Sequence, residues 1–167
     1  MAAGDVNNGQ IDDIIIGSSG VADKTGAAYI IFGVKGTRPN ITLATGLGPT
    51  EGFIIRGAST FNVLGSSVAR GGDLNGDEID DVLIGANRVD VNSGAAYLIF
   101  GKNKDEIRQT IDLSQGLSPT QGITLACGTI SSYMGSAVAG IGDFNGDGSN
   151  DFLFGACRQN ASRGQFM

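Results

Sequence analysis

The strongest constraint on the fold is an internal repeat with a spacing of 68 to 70 residues. The segment GAAYIIFG, which begins at Gly26, returns as GAAYLIFG at Gly94, and GSSVARGGD at Gly65 returns as GSAVAGIGD at Gly135. A unit of this length is too long for one coil of a solenoid, and it suits one four-stranded propeller blade with long loops. The sequence therefore predicts an all-β chain, a partial β-propeller built of four-stranded antiparallel blades.

Each unit carries an acidic loop. In the most complete copy, Asp73, Asn75, Asp77 and Asp81 stand at positions one, three, five and nine, and Ile79 offers a backbone carbonyl at position seven. Alternating oxygen ligands of this kind suit Ca²⁺, which takes about six to eight oxygens. A short apolar run closed by glycine follows and predicts a strand, whereas an EF-hand loop ends in Glu and continues as a helix. A solvated Asp/Asn/Gly turn without metal is the competing interpretation.

Two further copies of this loop favour the calcium interpretation. The copy in the third unit keeps the whole pattern, but the copy near the N-terminus has Gly9 where the fifth-position Asp should be. We therefore expect the first loop to bind calcium more weakly than the others, or with an extra water. The predicted ligands in these two loops are Asp143, Asn145, Asp147, the Ser149 carbonyl and Asp151, and Asp5, Asn7, the Ile11 carbonyl and Asp13.

The central unit predicts four strands, with the calcium loop between the first and the second. The second strand is apolar on both faces, which is typical of a strand buried between neighbouring sheets. Tyr97 and Phe100 are expected to pack between blades, and the polar segment 102–112 is expected to be an exposed connection. The predicted strands are 66–70, 81–86, 95–100 and 123–127.

The repeat divides the chain into one whole unit and two pieces. Residues 1–64 predict a blade that lacks most of its first strand, 65–134 a complete blade, and 135–167 a partial blade whose residues 164–167 align with 94–97. A propeller needs about four to eight blades to close, and open strand edges invite association. We therefore expect a fragment of a longer protein, and the alternative is a short subunit that closes a ring by oligomerising.

Composition excludes several classes of function. The net charge of −6 is concentrated in the acidic loops, and the absence of a Lys/Arg cluster disfavours nucleic-acid binding. No apolar run reaches the length of a membrane span, so this segment is not expected to insert into a membrane. The chain has no His, which removes the imidazole base and the Ser-His pair and argues against catalysis. Cys127 and Cys157 could pair or remain two buried thiols.

A unit made of a strand, a GDxNGDxxxD loop, a strand ending in Gly-Ala and the segment GAAYLIFG resembles the FG-GAP repeat of integrin α-subunit β-propellers and related bacterial surface proteins. The resemblance covers nearly the whole chain. It departs from the repeat at Leu64 and Met134, where the family has Phe, and at Ser19, Asn87 and Cys157, where the family has Pro.

The resemblance implies a seven-bladed propeller whose calcium ions brace one face, with adhesion ligands bound on the opposite face. The three loops above match the family's calcium loops, so the same residues would be its ligands. The implied function is a calcium-binding module of an extracellular or cell-surface adhesion protein, with a protein ligand or partner subunit and with calcium in a structural role. The alternative is the non-catalytic propeller region of a larger enzyme, such as a glycosylphosphatidylinositol phospholipase D-like hydrolase.

Overall fold

The computed structural model describes residues 1–106 and 110–156, which form three β-sheets. The strands are β1 Ala2–Gly4, β2 Asp13–Ser18, β3 Ala27–Ile31, β4 Gly52–Arg56, β5 Ser67–Gly72, β6 Asp81–Ala86, β7 Ala95–Ile99, β8 Ile111–Asp112, β9 Gly122–Ala126, β10 Met134–Gly142 and β11 Asp151–Ala156. The first sheet has the order β1-β2-β3-β4-β8, the second β5-β6-β7-β9 and the third β10-β11. Only the β4–β8 pair among the described strands is parallel.

The remaining regular elements are single turns. Two 3₁₀ turns, Leu43–Thr45 and Leu113–Gln115, precede β4 and β9. Two further turns, α1 (Val21–Lys24) and α2 (Val89–Asn92), connect the second and third strands of their sheets. The φ angles inside α1 and α2 are positive, 48° and 53° in the first and 45° and 53° in the second, so both are left-handed turns. The all-β prediction is therefore correct for the described residues.

The second sheet lies between the other two, and its central strands β6 and β7 are buried on both faces. Val82, Ile84, Tyr97 and Ile99 belong to the main core, which they share with side chains of the first sheet. Their neighbours Leu83 and Leu98 point the opposite way, as the two-residue period of a strand requires, and belong to a core shared with Phe152 and Phe154 of the third sheet. The prediction that the second strand of the unit is buried throughout is confirmed, because every residue of β6 is buried.

Two equivalent glycines let neighbouring sheets approach closely. A Cβ at Gly17 would collide with the carbonyl oxygen of Gly65, and a Cβ at Gly85 would collide with that of Gly135. Gly65 and Gly135 stand at the entry to the first strand of the following sheet. The same residue in the second strand of two units therefore sets the same spacing between successive sheets.

The strand predictions for the central unit hold with small shifts at the ends. The second strand is confirmed at 81–86, and the third ends at Ile99 while Phe100 packs against the smaller core. The first strand begins and ends later, at 67–72, and the fourth runs from 122 to 126. The strand β1, which precedes the first acidic loop, has three residues.

The connection 102–112 differs from its prediction at its end. Ile111 and Asp112 form β8, which pairs in parallel with Ile55 and Arg56 of β4, and Ile111 is buried. A two-residue strand at the end of a polar segment has no periodicity to detect, so the sequence indicated only a loop. Residues 107–109 of this connection are outside the described residues.

Cys127 is exposed, which corrects the expectation of a buried thiol at that position. Cys157, the partner considered for it, and the predicted end of the third unit at 164–167 lie outside the described residues, so the disulfide stays a prediction. Within the described part of the chain, no helix combines the length and the apolar character that crossing a membrane would require.

Candidate metal centre

The three acidic loops occupy equivalent places in the three sheets. Residues 5–13 join β1 to β2, 73–81 join β5 to β6, and 143–151 join β10 to β11. Each loop thus begins one residue after the first strand and ends on the first residue of the second strand. The predicted position of the loops, between the first and the second strand of a unit, is what the structure shows.

The position-one carboxylate organises each loop by accepting hydrogen bonds from backbone N–H groups further along it. In each loop one of these hydrogen bonds is 2.7 Å long. Its donor lies four residues after the carboxylate in the first loop and three residues after it in the other two. The donors are Gly9 and Gln10 to Asp5, Gly76, Asp77 and Glu78 to Asp73, and Gly146, Asp147 and Gly148 to Asp143. The shared pattern shows that the loops fold alike although the first lacks one acidic residue.

Positions three and five lie together in the two complete loops. Asn75 Nδ2 donates to Asp77 Oδ2 at 3.0 Å, and Asn145 Nδ2 donates to Asp147 Oδ2 at the same distance. The other oxygen of Asp147 accepts the N–H of Ser149, and this bond is the main reason why the pKa of Asp147 is lowered. These side chains are exposed, so oxygen atoms of both positions remain within reach of solvent.

The position-nine carboxylates are buried at the base of the first two loops. Asp81 is fully buried, and its oxygens accept the N–H groups of Leu74 at 2.9 Å and Gly101 at 2.8 Å. Burial raises its pKa to about 6, and the charges of Asp77 and Asp73 raise it further. A cation bound by the loop would relieve both effects, because it would offset the desolvation of the carboxylate and the repulsion between the acids.

Asp13 repeats this arrangement in the first loop. Its oxygens accept the N–H groups of Val6 at 2.9 Å and Gly33 at 2.6 Å, and burial raises its pKa to about 6. The predicted carbonyl ligands at position seven contact the same glycines that donate to these carboxylates. The side chain of Ile11 lies against Gly33, and that of Ile79 lies against Gly101. The first loop is therefore anchored as firmly as the second.

Asn7 carries a buried oxygen in the first loop that is unpartnered within the described part of the chain. The residue is 7% exposed, and its Oδ1 is a buried oxygen with no hydrogen-bond partner among the described residues. An orphaned buried acceptor costs about 1–3 kcal/mol. A Cβ at Gly9 would collide with this Oδ1, so Gly9 leaves the room that the Asn7 side chain occupies. A hard cation would satisfy the oxygen.

The structure does not gather the acids of any loop into a ready ligand cluster. Among the described residues, no group of three or more His, Cys, Asp and Glu side chains could hold a metal ion. The carboxylates are turned toward backbone N–H groups instead. The available donors are carboxylate, amide and carbonyl oxygens, which fit a hard cation such as Ca²⁺ and do not fit a thiolate- or imidazole-seeking metal. The assignment of ligands stays a prediction.

Sequence reasoning missed the residue at position eight of the loops. Asp80 Oδ2 accepts the N–H of Asp5 at 2.8 Å, although Asp5 belongs to the preceding loop, and Asp80 Oδ1 pairs with Arg70 at 2.9 Å. Asn150 Nδ2 donates to the carbonyl of Asp73 at 3.1 Å, again reaching the preceding loop. The one available signal was that position eight is always Asp or Asn, but their partners depend on how the sheets pack.

Comparison with known proteins supports an integrin-like origin. No protein-family model matches the chain. The chain is similar to integrin alpha pat-2 of Caenorhabditis elegans. The two sequences are 31% identical over an alignment 167 residues long, which covers 93% of this chain. The same alignment covers 13% of that protein, so the chain spans about an eighth of the length of this relative.

Proposed function

We propose that this chain is a calcium-binding β-propeller region of an integrin-like cell-surface protein. The observation that carries this proposal is the similarity to an integrin alpha subunit, which extends over 93% of the chain. The structure agrees with it, because equivalent sheets pack face to face with an acidic loop at the same corner of each. The blades would be FG-GAP repeats, and the role of the region would be adhesion or binding of a protein ligand or partner subunit.

Calcium would act here as a structural ion. Each loop forms the corner between the first and the second strand, and its position-one and position-nine acids stand at the two ends of that corner. An ion that binds both ends fixes the corner and stabilises the folded chain by RT ln(1 + [L]/Kd). The orphaned Oδ1 of Asn7 and the raised pKa values of Asp13 and Asp81 support this role, because a cation would relieve each of them.

The proposed location is extracellular or at the cell surface. Calcium sites of extracellular modules bind weakly, at roughly 10⁻⁴–10⁻³ M, which suits a compartment rich in calcium. Surface biotinylation of intact cells that produce the protein tests the location. Labelling of intact cells supports the proposal, and labelling that appears only after lysis contradicts it.

Calcium binding can be tested loop by loop by NMR. The amides of Gly9, Gly76 and Gly146 donate to the position-one carboxylates, so each amide signal should report occupancy of its own loop. Titration of calcium chloride into the chelated, ¹⁵N-labelled chain should move all three signals. If none of the signals moves at about 10 mM calcium, the calcium proposal is wrong.

Variants identify the ligands. Asp77→Ala should abolish the response of the second loop, Asp147→Ala that of the third, and both should reduce the rise in melting temperature on adding calcium. Glu78→Ala is the matched control, because it removes an exposed acid from position six, which is not a predicted ligand position. Equal losses in Asp77→Ala and Glu78→Ala would show that only the net charge of the loop matters.

A further inference from the structure

We propose that position eight of the second and third loops couples the calcium affinity of each of these loops to the affinity of the preceding one. Asp80 would position the first loop and Asn150 the second, and we call these two contacts the loop clasps. The inference rests on the proposed calcium function, because it concerns the calcium affinities of the loops. Neither Asp80 nor Asn150 is itself a predicted ligand. Asp80 and Asn150 are therefore positioning residues.

The first clasp is a two-way contact with the backbone of Asp5. Asp80 Oδ2 accepts the N–H of Asp5 at 2.8 Å, and the N–H of Asp80 donates to the carbonyl of Asp5 at 3.3 Å. The Asp80 side chain is 15% exposed and is held from the other side by Arg70 at 2.9 Å. The backbone of Asp5 is thereby fixed from the neighbouring sheet, at the residue whose carboxylate organises the first loop.

The second clasp repeats this approach without charge. Asn150 Nδ2 donates to the carbonyl of Asp73 at 3.1 Å, and Asp73 is the residue equivalent to Asp5. The residue equivalent to Arg70 is Gly140, so the neutral amide stands where the strand supplies no counter-ion. The two clasps have opposite polarity, because Asp80 accepts from a backbone N–H and Asn150 donates to a backbone carbonyl, but both join position eight to the backbone of position one in the preceding loop.

The glycine before each clasped residue makes room for the clasp. A Cβ at Gly4 would collide with the Asp80 carboxylate, and a Cβ at Gly72 would collide with the Asn150 amide. Both glycines also have left-handed φ, 80° and 77°, which disfavours side chains there. A close approach that recurs at two successive sheets is therefore a feature of the unit.

Coupling follows from where the clasp residues stand in the chain. Asp80 lies between Ile79 and Asp81, two predicted ligands of the second loop, while its side chain holds a ligand residue of the first loop. Asn150 likewise lies next to Asp151 in the third loop and holds Asp73 of the second. An ion that fixes one loop therefore reduces the freedom of the next one, and linkage requires the effect to be reciprocal.

Asn150→Ala is the decisive variant, because it removes the clasp without changing the net charge. In the NMR calcium titration, the midpoint for Gly76, the reporter of the second loop, should shift to about fivefold higher calcium. The midpoint for Gly9 should stay within about twofold, because Asn150 contacts the second loop and not the first. A Gly76 midpoint that stays within about twofold, or equal shifts at Gly9 and Gly76, would overturn the inference.

Further variants test the charge, the first clasp and the coupling separately. Asn150→Asp removes the hydrogen-bond donor and adds a negative charge. Loss of the clasp predicts weaker calcium binding at Gly76, whereas a simple charge effect predicts tighter binding. Tighter binding would overturn the inference.

Asp80→Ala should raise the Gly9 midpoint, and an unchanged Gly9 midpoint would overturn the inference. Asp147→Ala, which removes a predicted ligand of the third loop, should raise the Gly76 midpoint in the parent chain but not in the Asn150→Ala chain, because the coupling acts through Asn150. A Gly76 midpoint that does not depend on the third loop would also overturn the inference. Asp12→Ala removes an exposed acid at the same loop position that clasps no loop in the described part of the chain, and it should leave the Gly76 midpoint unchanged.

The outcomes separate the two proposals. If no glycine amide of the parent chain responds to calcium, the calcium function fails and the coupling with it. If the parent responds and Asn150→Ala leaves the Gly76 midpoint in place, the coupling alone fails.

Discussion

Asp13 and Asp81 allow the structural and the calcium-binding roles of a loop to be measured separately. Each carboxylate accepts two backbone N–H groups, and each is almost completely buried. The structure therefore predicts that Asp13→Ala and Asp81→Ala change the stability of the metal-free chain equally. The sequence predicts weaker calcium binding in the first loop, so Asp13→Ala should matter less than Asp81→Ala only when calcium is present.

The size of the metal-free effect follows from two opposing contributions. Two orphaned N–H groups cost about 2–6 kcal/mol together, at about 1–3 kcal/mol each. Removing a buried carboxylate whose pKa is raised from 3.8 to about 6 returns about 3 kcal/mol at neutral pH, at about 1.36 kcal/mol for each pKa unit. The net cost is therefore about −1 to 3 kcal/mol, and it should be the same in both variants because the two carboxylates have equivalent partners and burial.

Calcium should then separate the variants. At about 10 mM calcium, a loop with a Kd of about 0.1 mM adds about 2.7 kcal/mol and a loop with a Kd of about 1 mM adds about 1.4 kcal/mol. If the complete second loop binds at the tighter value, Asp81→Ala should cost about 1 kcal/mol more than Asp13→Ala in calcium. The incomplete first loop, with Gly9 at position five, is expected at the weaker value.

Urea denaturation followed by circular dichroism measures both quantities, with chelator and with calcium. Costs that differ by more than about 1 kcal/mol in chelator would refute the structural equivalence of Asp13 and Asp81. Costs that are the same in chelator and in calcium would refute the role of these residues in binding the ion.

Three further predictions concern pH, backbone strain and packing. Without calcium, the melting temperature should rise as pH falls from about 7.5 to 5, because the position-nine carboxyls, with pKa raised to about 6, bind protons more tightly in the folded chain. Saturating calcium should reverse this trend, and a metal-free decrease would contradict the reasoning. Val91→Asn should stabilise the chain by about 0.5–1 kcal/mol in thermal denaturation, because Val91 has a left-handed φ of 53°, whereas the control Val34→Asn should not. Leu83→Ala should cost about 3 kcal/mol and the exposed Leu153→Ala less than about 1; similar costs would show that the second and third sheets do not share a core.

Local patterns in the sequence predicted the parts of the fold that depend on local chemistry. The apolar run 82–85 after an acidic loop indicated a strand buried on both faces, and β6 is that strand. The alternating oxygens of 73–81 indicated a loop at a strand corner, and the loop lies there. Both signals are contained within a few consecutive residues.

Features that depend on partners distant in sequence could not be predicted. In the sequence, Asp80 is only a residue between two candidate ligands. Its hydrogen bond with the N–H of Asp5 depends on how the sheets pack. Gly9 indicated a lost ligand, and only the fold shows that its missing side chain leaves room for Asn7. Val91 is β-branched and has no propensity for a left-handed turn, so its conformation is imposed by the surrounding structure.

Because β8 pairs with β4, the boundaries of the sequence repeats differ from the boundaries of the sheets. The outer edge of the first sheet is covered by Ile111 and Asp112, which belong to the following unit. The second unit interlocks with the first in this way and protects part of its open edge from unwanted pairing. Duplication or deletion of one unit during evolution would therefore also change which edge strand its neighbour receives, so a new unit has to fit an adjacent sheet as well as fold itself.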